Sequence, residues 1–105
     1  MKIDTNAVLI GVWGEVLRMP PAAGATEGAV ITVGDACILP LIADHPEDRQ
    51  ERLEVKLQRF KLASTLRAGG EVDLKADDVV LIKQLANRTW SVSVLGALVA
   101  AIDPA

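Results

Sequence analysis

Aromatic side chains are almost absent from this chain: Trp13, Phe60 and Trp90 are the whole set, 3% of 105 residues, and there is no tyrosine. A surface that stacks single-stranded bases needs such rings, so their scarcity argues against a base-stacking platform. A second cysteine is also missing, and Cys37, unable to form an intrachain disulfide, reads as a small buried apolar residue compatible with a reducing compartment. His45 is the only histidine, which removes every two-histidine metal site and any HExxH helix. The glycines at 11, 14, 24, 28 and 34 fit neither a Walker loop nor a GxGxxG run. The longest uncharged run, Thr89 to Ile102, has 14 residues and contains Ser91 and Ser93; a membrane span needs roughly 18 or more. No signal-peptide layout opens the chain, because Asp4 interrupts a brief apolar start. No polybasic arm is present either: residues 44–88 carry nine basic and nine acidic side chains, so the net charge of −3 comes from the ends.

Catalysis finds little to stand on. A Cys37–His45 pair would lack an orienting third group. The acidic pairs Glu47-Asp48 and Asp77-Asp78 each open an expected helix, where carboxylates oppose the positive end of the helix dipole. No catalytic, cofactor-binding or metal-binding residue is therefore assigned, and an enzyme is not expected.

What is present is one domain's worth of chain, half of it hydrophobic (50%), enough to bury an aliphatic core. The fold class expected is α+β: a short N-terminal β-hairpin and loop over 1–31, packed on a helical part over 32–105 with about four helices. Val8 to Val12 and Glu15 to Arg18 predict two strands joined at Trp13-Gly14, glycine supplying the positive φ of a two-residue turn. Trp13 there either folds back over the core or is a contact residue. Thr32 with Asp35 predicts a helix from Val33, which Pro40 should kink or end. Asp44 or His45 with Pro46 then starts a helix that runs to Ala68 before Gly69-Gly70. A third helix is expected from Asp73 or Lys75 to about Thr89. A fourth, Ser91 to Ile102, is apolar nearly all round and so belongs at the centre of the fold or of an oligomer.

Pro46 to Ala68 carries the clearest functional pattern. Drawn as one helix at about 100° per residue, Leu53, Leu57 and Phe60 share one side while Val55, Leu62 and Leu66 gather opposite. Two apolar stripes imply two packing partners, one of which can lie outside the chain. Val55, Leu62 and Leu66 are taken as the protein interface, with Trp13 and Trp90 as anchors, and Val55→Asp with Leu66→Asp is expected to give a folded monomer. Arg49, Arg52, Lys56 and Arg59, at spacings of 3, 4 and 3, form a basic row that could follow a phosphate backbone, although the acidic row Glu47, Glu51 and Glu54 lowers its field. A helix-turn-helix made from the last two helices is ruled out, since the second lacks Lys, Arg, Asn and Gln to read bases.

The stretch RFKLAxxL…VDLxxDDxxLIKxLxxRxWxxxxxG, from Arg59 to Gly96, and the opening MKID…GVWGEVL resemble a group of small proteins encoded in tailed-phage and prophage genomes. In that group a Ser or Thr precedes the acidic helix start, an Asp-Gly turn closes the hairpin, a Tyr begins the last segment and a Gln follows its glycine; here Lys75, Trp13, Trp90 and Ala97 stand in those places. The resemblance implies a phage or prophage origin and no established activity. The reading that follows is a non-enzymatic accessory protein acting through protein contacts, self-associating or binding another phage protein, in the host cytoplasm or on the virion. The alternative is a nucleic-acid-associated regulator using the basic row.

Overall fold

The chain's first residues are tied to its middle. In the computed structural model, which describes residues 2–21, 23–24 and 26–103, β1 (Lys2–Asp4) pairs antiparallel with β2 (Glu71–Asp73) in the register Lys2↔Asp73, Ile3↔Val72 and Asp4↔Glu71. The alternation of a strand turns Ile3 and Val72 into the core and their charged neighbours outward. Between these strands lie α1 (Val33–Ile42), a 3-10 helix (Pro46–Gln50) and α2 (Leu53–Arg67); α3 (Ala76–Thr89) and α4 (Val92–Ile102) follow. The architecture is the expected α+β class with four α-helices. β1 and β2 are both additions, since three residues give too short an alternation to read from sequence.

The hairpin expected over 8–18 forms as single bridges rather than a regular ladder, Ile10 opposite Val16, with Gly14 at φ +79° in the turn. A third segment joins it through Val8↔Thr32 and Arg18↔Val30. The backbone bonds close a ring: Leu9 N–H donates to Ile31 C=O, Ile31 N–H to Leu17 C=O, and Leu17 N–H to Leu9 C=O, each at 3.0 Å. Three short segments thereby satisfy one another, and Leu9 and Ile31 are buried.

Helix α1 starts where its cap predicts, with Thr32 Oγ1 accepting from Asp35 N–H at 3.2 Å. Pro40 does not end it. The ring removes the N–H that would have reached Ala36 C=O, and the Trp90 indole N–H fills that acceptor at 2.9 Å. α1 packs against α2, α3 and α4 and is the central helix. This corrects the expectation for α4: only Leu98 and Ile102 of that helix are buried and Val92 is 88% exposed, so an apolar composition placed it against the core on one side only.

The single helix expected from Pro46 to Ala68 is also corrected. Glu51 and Arg52 are extended, with ψ of 141° and 146°, and they separate the 3-10 helix from α2. In an unbroken helix Glu51 and Arg59 would stand about 12 Å apart along the axis. The break folds residues 46–51 back alongside α2, where Glu51 and Asp48 both reach Arg59. At the other end Gly69 and Gly70, at φ +83° and +74°, stop α2 and redirect the chain, and Gly70 C=O accepts from both the N–H and the hydroxyl of Thr5.

Candidate functional site

Arg59, expected on a solvent-facing basic row, is 5% exposed. Its guanidinium closes the C-terminus of α1, donating to Leu41 C=O at 2.9 Å, Ala43 C=O at 2.8 Å and Pro40 C=O at 3.4 Å. The orphan carbonyls of a helix end carry partial negative charge, so a cation is the fitting partner. Glu51 at 2.8 Å and Asp48 at 3.2 Å neutralise it, and Arg88 from α3 meets the other Asp48 oxygen at 2.7 Å. Burial alone would push the Asp48 carboxyl up, but hydrogen bonds from Arg88, the His45 amide and Arg59 outweigh it and hold the pKa at about 2. The basic row is thus broken twice: Arg59 faces inward, and the bend at Glu51 takes Arg49 out of register with Arg52 and Lys56. A continuous phosphate-tracking stripe does not exist on this helix.

This buried cluster is a structural clasp among α1, the 3-10 helix, α2 and α3. Its carboxylates are consumed by arginines. Cys37 is fully buried and burial pushes its thiol up to about 12, which leaves no thiolate for chemistry. Among the described residues no group of three or more His, Cys, Asp or Glu is arranged to hold a metal, and no helix is long and apolar enough to cross a membrane.

The two stripes of α2 exchange their expected roles. Leu62 and Leu66, assigned to a partner, are buried in the chain's own core on a helix that packs against α1, and Val55 is half-buried. Leu53, Leu57 and Phe60 point outward, Phe60 with 70% of its surface exposed. Ile42, at the end of α1, is exposed beside them. Two open hollows lie between the helices, one of about 320 Å³ bordered by Leu41, Ala43 and Lys56, the other of about 300 Å³ bordered by Ile38, Ala63 and Arg67. Both share Ile42 and Phe60, which stand between them, so the two hollows adjoin along an apolar groove with a cation near each end. Asp44 is the exposed acid on its rim. A sequence signal for this face existed: Lys56 and Arg67 on one side and Lys61 on the other flank Leu53, Leu57 and Phe60 on the helical wheel, whereas the opposite stripe contains Arg59 with two carboxylates upstream to neutralise it.

The two tryptophans also separate. Trp90 is half-buried and held by its bond to Ala36, which makes it part of the core's polar satisfaction and not an anchor. Trp13 is 90% exposed, at the tip of the hairpin beside exposed Val12. Its backbone N–H donates to a Glu15 carboxylate oxygen at 2.9 Å, Gly14 N–H bonds to Gly11 C=O and Gly11 N–H to Glu15 C=O, so the turn is internally braced.

Comparison with known proteins gives no match: no family model fits the chain, and neither a curated protein nor a solved structure is similar to it. The functional reading therefore rests on the chain's own surfaces.

Proposed function

We propose that this chain is a non-enzymatic protein that works by protein–protein contact, and that the partner of its α1/α2 face is a second copy of the same chain. The observation that carries this is the outward stripe Leu53, Leu57 and Phe60 with Ile42 beside it, on a helix whose core requirement is already met by the opposite side. Side chains of this size are each worth about 1.5–3 kcal/mol when fully buried, against an association cost of about 4–15 kcal/mol. The face alone supports a modest contact, so a second surface has to contribute. The resemblance of Arg59–Gly96 to small tailed-phage and prophage proteins supports an accessory role in such a genome, and self-association suits particle assembly, on the virion or in the host cytoplasm. The test is solution mass by light scattering behind a sizing column over a range of concentrations. A mass rising above the 11.2 kDa of one chain, and returning to it with Phe60→Asp, is the expected result; a monomer at every concentration overturns the proposal.

A further inference from the structure

The charge on the α2 face argues against a symmetric contact. α2 carries Lys56, Arg59, Lys61 and Arg67 against Glu54 alone, in a chain of net charge −3, and all of these except Arg59 are exposed. Laying α2 against α2 of another copy would set the same cations facing one another, which is costly. The complementary surface has to be apolar, small enough to enter a groove, and acidic at its edge.

One part of the chain meets all three conditions. The hairpin tip presents Val12 and Trp13, and between residues 8 and 17 the only charged side chain is Glu15, an exposed carboxylate next to the tryptophan. The tip is held by its own turn bonds, so little order is lost when it docks. Trp13, almost wholly exposed, is not seated in its own chain's groove. The receiving surface is the pair of hollows on either side of exposed Ile42 and Phe60, one bordered by Lys56 and Asp44, the other by Arg67 with no acid.

We propose that the Val12-Trp13 tip of one copy seats in the α1/α2 groove of the next, with Glu15 facing Arg67, the cation of the hollow that has no acid in its lining, so that copies join head to tail. This rests on the self-association reading and gives it a geometry. Because tip and groove are different surfaces, the contact repeats, closing into a ring or extending as a filament. A tryptophan buried at the centre of a contact is the usual carrier of its affinity.

The experiment uses two full-length variants, Trp13→Ala without a tip and Phe60→Asp without a groove, with sedimentation velocity as the readout and far-ultraviolet circular dichroism to verify the fold. Ile42→Asp repeats the groove arm at the other exposed residue that lines both hollows. Each variant alone is expected to be monomeric where the wild type assembles, with association weakened about 30-fold or more. Mixed together they should form a 1:1 dimer and nothing larger, since one intact tip meets one intact groove. If Phe60→Asp and Ile42→Asp dissociate while Trp13→Ala still assembles, head-to-tail joining is wrong and self-association through the α1/α2 face survives. Two monomeric variants that stay monomeric on mixing overturn the tip-in-groove contact. A wild type that never assembles overturns both this inference and the reading beneath it.

Discussion

Leu66 and Phe60 belong to the same helix, six residues apart, yet Leu66 is 1% exposed and Phe60 70%. The cations of α2 divide in the same way, Arg59 buried under the end of α1 and Lys56 exposed beside the groove. Neither apolar nor basic content separates the two sides. What separates them is where α1 lies: its open carbonyls draw in a guanidinium, the acids that neutralise that guanidinium must come with it, and the leucines on the same side are carried into the core. The outer side keeps an equal share of apolar residues, left exposed by the described residues of the chain.

Aspartate substitutions on the two sides should break this symmetry most visibly. Leu66→Asp places an unpaired carboxylate in the core and is expected to cost about 4 kcal/mol or more, enough to unfold a small domain. Phe60→Asp should change stability by only about 0.5 kcal/mol. Urea denaturation followed by circular dichroism separates the two; equal losses would mean that the outer stripe is also core. The same contrast corrects the folded monomer expected of Val55→Asp with Leu66→Asp, which should instead be unfolded.

The paired cations extend the comparison at a somewhat smaller scale. Arg59→Ala strips three α1 carbonyls of their donor and leaves Glu51 and Asp48 with one guanidinium fewer, an expected loss of about 3 kcal/mol. Lys56→Ala, three residues earlier on the outer side, should stay within about 0.5 kcal/mol in the same denaturation experiment.

Much of the scaffold was legible because its signals are local. Thr32 and Asp35 mark the start of α1, Gly69-Gly70 the end of α2, and Trp90-Ser91 the joint between α3 and α4. The misreadings share one cause, a tertiary partner that sequence spacing does not reveal. Residues 46–52 carry good helix-start chemistry and break because Arg59 recruits Asp48 and Glu51 from across the bend. α4 has more apolar residues than α1 needs, but α1 holds the centre and leaves α4 half outside. The two α2 stripes are equivalent on a helical wheel, so periodicity finds both and cannot say which one α1 covers.

Trp90 offers a finer probe of how α1 holds its position under α2. Trp90→Phe keeps the ring but leaves Ala36 C=O without its donor, an expected cost of about 1 to 1.5 kcal/mol. Pro40→Ala restores an N–H that can reach the same carbonyl, so Trp90→Phe should cost less in that background. A double-mutant cycle by thermal or urea unfolding measures the coupling, and strict additivity would show that the indole bond is not compensating for the proline.

The smallest effect is the acid sensitivity of the inner side. The Asp48 carboxyl is held at about 2 in the folded chain, against about 3.9 for an unfolded aspartate. A depressed folded pKa makes the unfolded chain bind the proton more readily. Its contribution is therefore fully present above about pH 4 and is lost as the pH falls from there toward 2. Asp48 is buried, and a shift of this size removes about 1 kcal/mol of stability for each pH unit below 4. Asp48→Asn should lower stability at neutral pH and flatten the decline between pH 4 and 2. Urea midpoints measured at half-unit pH steps make the comparison, and an Asp48→Asn slope equal to that of the wild type would place the acid-sensitive group elsewhere than in the Arg59 clasp.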